Sequence, residues 1–103
     1  MAKNQYNFTY DNTLPTIIVG EMVVTVNNRK STMKQLQEAK AKAKTAEDVD
    51  RIIIETLCGK KAADYIDELD LPIPAYQELI ITILAAYNGT TVEKQKEQLN
   101  TRF

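Results

Sequence analysis

The chain has 103 residues, 44% of them hydrophobic, so it is long enough for one domain with its own core and too short for two. Thirteen basic and fourteen acidic side chains leave a formal net charge of -1, which argues against a general nucleic-acid binder. The sequence contains no histidine, which removes the commonest general base and the commonest metal ligand.

Neither export nor a membrane span is indicated. The single cysteine, Cys58, has no second cysteine for an internal disulfide, which favours a reducing compartment. The first residues lack the apolar run of a signal peptide, and no stretch approaches the roughly eighteen apolar residues of a spanning helix. We therefore expect a cytoplasmic protein with no membrane partner.

Residues 1–28 predict a small β element. Alternation of aromatic and polar residues indicates a short first strand at Tyr6, Phe8 and Tyr10. Two β-branched runs, 16–19 and 22–26, flank Gly20-Glu21, and a two-residue connection led by glycine suits a tight hairpin with positive φ at its first position. We expect a β-hairpin or a three-stranded element that docks onto helices.

Residues 31–99 predict a helical region. Thr32, with Gln35 three residues later, fits a capping box that opens a first helix ending near Lys44. The first helix has a thin apolar face and many lysines, so we interpret it as solvent-exposed.

Two further helices have stronger end signals. Thr45 and Asp48 have the spacing of a capped start, and Gly59 ends that second helix. A third, short helix covers residues 60–69, and a proline-containing linker follows it.

The helix from Pro74 to Gly89 has the strongest apolar pattern and is expected at the centre of the core. Six residues share one side at helical spacing: Tyr76, Leu79, Ile80, Ile83, Leu84 and Tyr87. Thr90 with Glu93 suggests a cap for a last, polar helix, with residues 100–103 as a tail. The chain is thus predicted to be one domain, 1–103, mainly α with a small N-terminal β-hairpin (α+β), forming a bundle of four to five helices.

The groups that could carry chemistry do not form a catalytic or metal site. Cys58 lies near Lys60 and Lys61, but with no histidine to pair with it we interpret it as a packed apolar residue. The acidic residues of the third helix lack calcium-loop spacing and are interpreted as a solvated face. Ser31, the only serine, lies where a helix begins and has no base partner. We predict no enzymatic activity, no cofactor and no metal.

The order of elements and several short strings resemble a known family. The strings are Ile18-Val19-Gly20-Glu21, Leu57-Cys58-Gly59-Lys60-Lys61-Ala62-Ala63, Ile66-Asp67-Glu68-Leu69-Asp70-Leu71, Tyr76, Ile83-Leu84-Ala85-Ala86-Tyr87-Asn88-Gly89 and the terminal Arg102-Phe103. They are similar to the small tail assembly chaperones of long-tailed bacteriophages and prophages of Gram-positive bacteria. The resemblance covers nearly the whole chain and consists of helix ends and core positions. The pair Pro72 and Pro74 departs from the family's pattern.

The resemblance implies a non-catalytic role in virion morphogenesis. Such chaperones bind the tape measure protein in the host cytoplasm, keep it soluble for tail-tube assembly, and are generally absent from the finished virion. The implied partner is the tape measure protein or another phage tail protein, with a homo-oligomer also possible and no nucleic acid involved. Candidate partner-binding residues are Met22, Val24, Val92, Leu99 and Phe103. The last three form a narrow apolar strip that either completes the core or docks in a partner's groove.

Two other hypotheses about the function stay open. The chain could be another small phage structural or morphogenesis protein, such as a connector or tail component. It could also be a small helical DNA-binding regulator, although such a protein would need a polar, basic recognition helix. Here the corresponding helix is apolar nearly all round and follows two prolines, Pro72 and Pro74.

Overall fold

The computed structural model describes the backbone of residues 5–101 and the side chains of residues 5–98. Within this range the chain forms two strands and five helices: β1 (Thr16–Val19), β2 (Met22–Thr25), α1 (Lys30–Ala41), α2 (Ala46–Cys58), α3 (Lys60–Leu69), α4 (Ile73–Asn88) and α5 (Val92–Thr101). The predicted class, mainly α with a small N-terminal β-hairpin, is confirmed.

Strands β1 and β2 form an antiparallel hairpin around Gly20-Glu21. Val19 is opposite Met22 and Ile17 is opposite Val24. Gly20 has a φ of 61°, as the glycine-led turn predicts, because only glycine adopts that conformation without a steric penalty. The four paired residues turn toward the helices, where Val19 and Val24 are buried and Ile17 and Met22 pack against the core.

The predicted strand at Tyr6, Phe8 and Tyr10 is wrong. No described residue from Gln5 to Pro15 belongs to a strand, and all three aromatic side chains are exposed. We call residues 5–11 the N-terminal arm. A period-two pattern makes residues fit for a strand, but a strand also needs a neighbouring strand to bond with, and none is supplied within the described chain.

Two contacts hold the chain just after the arm in line with β1. The Val26 amide donates to the Pro15 carbonyl at 2.9 Å, which extends the hairpin ladder beyond β1. The Arg29 guanidinium donates to the Asn12 carbonyl at 3.2 Å and also to the Asn12 side chain. The arm therefore continues away from the hairpin instead of folding back along it.

The first helix differs from its predicted capping. It begins at Lys30 after Arg29, with no side-chain cap, and it ends at Ala41 instead of near Lys44. Thr32, predicted as the cap, lies inside the first turn and is buried. The capping-box prediction for Thr32 is wrong because the N-cap position is Arg29, three residues earlier, which places Thr32 inside the helix with its side chain buried.

The second helix confirms its predicted ends. The Asp48 amide donates to Thr45 Oγ1 at 3.1 Å, as expected for an N-cap. Gly59, with a φ of 96°, ends α2 and is followed at once by α3. At the last helix the cap is Thr91 and not Thr90, since Thr91 Oγ1 accepts from the Lys94 amide at 3.2 Å.

The core is centred on α2, so the prediction that the helix from Pro74 forms the centre is wrong. Helix α2 contacts α1, α3, α4 and β2, while α4 contacts α2, α5 and β1. Among the described residues the buried apolar set comprises Val19, Val24, Val26, Leu36, Ile53, Ile54, Leu57, Ala62, Ala63, Ile66, Ile80, Ile83 and Ala85. Helix α4 is apolar nearly all round, but neighbouring elements pack on only some of its sides, and Ile73 at its start is exposed.

Candidate protein-binding surfaces

A groove of about 410 Å³ runs between α1, α4 and α5. Its lining residues are Met33, Leu36, Gln37, Lys40, Ile53, Leu84, Tyr87, Asn88, Gln95 and Gln98. The sequence pattern did not reveal this groove, because its lining combines residues of α1, α2, α4 and α5, and α1 lies far from α4 and α5 along the chain.

The buried residues of the groove lining are apolar except for Gln95, and its exposed residues are polar except for Met33. Leu36 and Ile53 are buried, and Leu84 packs against the core beside them. Exposed Gln37 and Lys40 belong to the lining contributed by α1. An apolar floor bordered by uncharged amides and one lysine suits an amphipathic segment of another chain.

Polar contacts fix α5 along the groove. The Asn88 Nδ2 donates to Gln95 Oε1 at 3.0 Å, and Gln95 is buried. Lys96 Nζ lies 2.9 Å from Glu78 Oε1, a second link between α5 and α4. Side-chain amides carry no periodic apolar signal, so the Asn88–Gln95 pair cannot be predicted from the sequence pattern.

The predicted partner-binding residues do not share one described surface. Val24 is 2% exposed and belongs to the core, and Met22 packs against that core from the same face of the hairpin. Val92 is half-buried in the first turn of α5 and does not line the groove. The Leu99 side chain and Phe103 lie outside the described residues.

The outer face of the hairpin carries the exposed apolar residues instead. Ile18 and Val23 are directly opposite each other in the ladder and are 76% and 63% exposed. A period-two pattern shows which residues share a face of a strand, but it does not show which face the helices cover.

Arg51 links α2 to α3 through the acidic residues of α3. Its guanidinium lies 3.1 Å from Asp64 Oδ1, 2.9 Å from Glu55 and also contacts Asp67. Lys60 Nζ lies 3.1 Å from Asp64 Oδ2. Hydrogen bonds from Lys60 and Arg51 lower the pKa of Asp64, so part of the acidic face is ion-paired and serves to join two helices.

Cys58 and the acidic side chains are the other groups whose chemistry the structure describes. Burial raises the pKa of the Cys58 thiol to about 11, which keeps it protonated and supports the interpretation of Cys58 as a packing residue. Within residues 5–98 no group of three or more acidic or cysteine side chains is arranged to hold a metal ion.

A smaller cleft of about 180 Å³ has an acidic border that includes Glu47, Asp67 and Asp70. Burial, with a contribution from Glu47, raises the pKa of nearby Asp50. Tyr76, which lines the same cleft, also has a raised pKa, first through burial and then through Asp50. These shifts come from desolvation and like charge, and they need no bound ion.

None of the helices in the described range is both long and apolar enough to cross a membrane.

Comparison with protein-family models, with curated proteins and with solved structures finds no match for this chain. The fold and surfaces define a mainly α protein with an N-terminal hairpin and an open interhelical groove.

Proposed function

We propose that this chain is a non-catalytic protein that binds an apolar helical segment of another protein in the groove between α1, α4 and α5. The observation that carries this proposal is the groove's apolar floor with its largely uncharged border. Helix-binding grooves have this character, because the floor accepts side chains at i, i+3, i+4 and i+7 while the rim remains hydrated.

Met33 is the feature of the groove that best fits a binding role. Its side chain is 42% exposed beside buried Leu36, so an apolar surface continues from the core to the outside. Methionine is unbranched and polarisable, which lets one surface adapt to several apolar partners.

The more particular proposal is a tail-assembly-chaperone-like protein that acts on the tape measure protein, or another phage tail protein, in the cytoplasm of a bacterial host. The resemblance in the strings from Ile18 to Gly89 supports it. Physically, the chain would cover apolar stripes of its client and so lower the concentration of free aggregation-prone segments. The net charge of -1 gives no general attraction to nucleic acid and is compatible with a protein partner.

A pair of matched variants tests the groove. Met33→Glu places a charge in the groove, whereas Ile73→Glu places the same charge on an exposed residue outside the groove lining. The probe is a labelled synthetic amphipathic helix with leucine at i, i+3, i+4 and i+7, followed by fluorescence anisotropy. We expect Met33→Glu to weaken binding by about tenfold or more and Ile73→Glu to change it less than about twofold. Equal affinities for both variants would show that the groove is not the binding site.

Co-expression tests the chaperone role. A tape measure reading frame encoded beside this one should yield more soluble product with the wild-type chain than with Met33→Glu. Unchanged solubility with and without the chain contradicts the role. Mass spectrometry of purified virions then separates the alternatives, because a chaperone is absent from the particle and a connector or tail component is present.

A further inference from the structure

We infer that the N-terminal arm of one copy adds as a strand to the free edge of β1 in a second copy, so that two copies exchange arms. This self-association uses a surface other than the groove and is independent of the proposed function.

The arm has the properties of an unpaired strand. Tyr6, Phe8 and Tyr10 are 88%, 85% and 71% exposed, and their alternation places them on one side of an extended segment. The rings of Phe8 and Tyr10 stack with centroids 5.6 Å apart, which fits neighbours on the same side. No backbone–backbone hydrogen bond joins residues 5–11 to another part of the described chain.

The free edge of β1 can pair with such a strand. A two-residue turn makes Val19–Met22 a hydrogen-bonded pair, so the pairing alternates and the amide and carbonyl groups of Thr16 and Ile18 point away from β2. Within the described chain no backbone group bonds to them from that side. The opposite edge is less open, because the Asn27 amide just beyond β2 donates to the Leu57 carbonyl of α2 at 2.8 Å.

The arm cannot reach this edge within its own copy while its base is held. The contacts of Pro15 with Val26 and of Asn12 with Arg29 direct the arm along the line of β1, away from the hairpin turn. A second copy in antiparallel orientation meets no such obstacle. Each arm then lies beside the other copy's β1, and the two hairpins join in one continuous sheet.

The pairing register between the arm and β1 follows from the side of each strand on which the apolar side chains lie. Directly opposite residues of an antiparallel pair project to the same side, so Phe8 opposite Ile18 and Tyr10 opposite Thr16 place the aromatic rings on the outer face of the hairpin. That face holds the exposed pair Ile18 and Val23. Arm exchange thus places the arm's aromatic rings beside Ile18 on the outer face, and it gives hydrogen-bond partners to the edge of β1.

Cysteine cross-linking between two differently tagged copies tests the contact. In a Cys58→Ser background one copy carries Phe8→Cys and the other Ile18→Cys, and the control partner carries Lys61→Cys at an exposed position of α3. Under mild oxidation we expect the Phe8–Ile18 heterodimer to form at least about tenfold faster than the control heterodimer. Equal rates for the two pairs would overturn the inference.

Sedimentation equilibrium of the full chain gives a second, independent readout. The wild type is expected to dimerise, the triple variant Tyr6→Ser/Phe8→Ser/Tyr10→Ser to stay monomeric, and the matched variant Asn7→Ser/Thr9→Ser to dimerise like the wild type. A wild type that is monomeric up to about 0.5 mM, or a triple variant that still dimerises, rejects arm exchange. Met33→Glu should dimerise normally, so failure of the groove proposal and failure of arm exchange are distinguishable.

Discussion

Tyr65 of α3 lies under the hairpin turn and ties the β element to the helices. Its hydroxyl accepts a hydrogen bond from the Glu21 amide at 3.1 Å. A Cβ atom added to Gly20 would lie 2.7 Å from that hydroxyl oxygen, closer than the two atoms can approach. Gly20 therefore provides the positive φ of the turn, and its missing side chain also leaves room for the Tyr65 hydroxyl, which would have to shift if a Cβ were present.

The change Gly20→Ala should destabilise the protein more than Gly89→Ala. Both glycines have positive φ, 61° and 68°, but a Cβ at Gly89 meets nothing within 4 Å. The positive φ costs alanine at least about 1–2 kcal/mol at either position, and the contact with Tyr65 adds to this cost only at Gly20. Urea denaturation at neutral pH measures both free energies of unfolding.

The double variant Gly20→Ala/Tyr65→Phe identifies the contact. Removing the hydroxyl relieves the clash, so the double variant should lose less than the sum of the two single losses. Additive losses would mean that the Tyr65 hydroxyl does not restrict Gly20.

At the scale of elements, α2 and α3 are separated by a single residue, Gly59. They are joined across their surfaces by the ion pairs of Arg51 with Asp64 and Asp67. The Asp64 carboxylate accepts hydrogen bonds from both Lys60 and Arg51. The start of α2 depends instead on two short-range bonds, from the Asp48 amide to Thr45 Oγ1 at 3.1 Å and from the Lys44 amide to Asp48 Oδ2 at 3.4 Å. Its beginning is fixed by capping, and its attachment to α3 is assisted by charge.

Thr45→Ala should cost about 1 kcal/mol of unfolding free energy, because α2 loses its N-cap. Thr45→Ser keeps the hydroxyl and should lose much less. Urea titrations of the two variants measure the difference. Equal losses would indicate that the methyl group of Thr45, and not its oxygen, supports the helix start.

The Asp64 ion pairs predict a pH dependence of stability. The pKa of Asp64 is lowered below its ordinary value of 3.8 by Lys60 and then by Arg51. A carboxylate with a lowered folded-state pKa stabilises the fold above the unfolded-state pKa, and this contribution is lost as pH falls through the folded-state value.

Asp64→Asn should therefore be less stable than the wild type at pH 7, with the gap closing between about pH 4 and pH 2. Urea denaturation across that pH range measures the gap. Glu68→Gln, at an exposed position of the same helix, is the control and should leave the stability at pH 7 nearly unchanged. A gap for Asp64→Asn that persists at pH 2 would show that the side chain contributes through packing.

At the scale of the whole molecule, the chain is extended for its length. Its radius of gyration is 16.0 Å, against about 13 Å for a compact domain of this size. The helices form the core around α2, while the N-terminal arm leaves that core with its aromatic side chains in solvent. The core and the arm should therefore be separable in their effects on stability.

A variant that begins at Asn12 tests this separation. Because the arm's aromatic side chains are exposed, its removal should change the free energy of unfolding of the isolated monomer by less than about 0.5 kcal/mol. Dilute thermal or urea unfolding measures it, at concentrations where self-association does not contribute. A loss above about 2 kcal/mol would mean that the arm packs on the core.

Much of the fold could be predicted from the sequence because its signals are local. The cap at Thr45, the breaks at Gly59 and Gly89, and the turn at Gly20 each depend on backbone geometry within a few residues. These signals determined the hairpin and the helices that follow it, and therefore the mainly α class.

Only the tertiary structure decided which faces are covered. The alternation in β2 grouped Met22 with Val24 but could not show that the helices bury that face and leave Val23 in solvent. The Tyr6–Tyr10 pattern likewise could not show that no strand lies beside it. Helical periodicity made α4 the best candidate for the core centre, yet α2 has more neighbours on more sides. Which elements pack together depends on contacts between residues far apart in the chain, and a pattern of spacing within one element contains no information about those contacts.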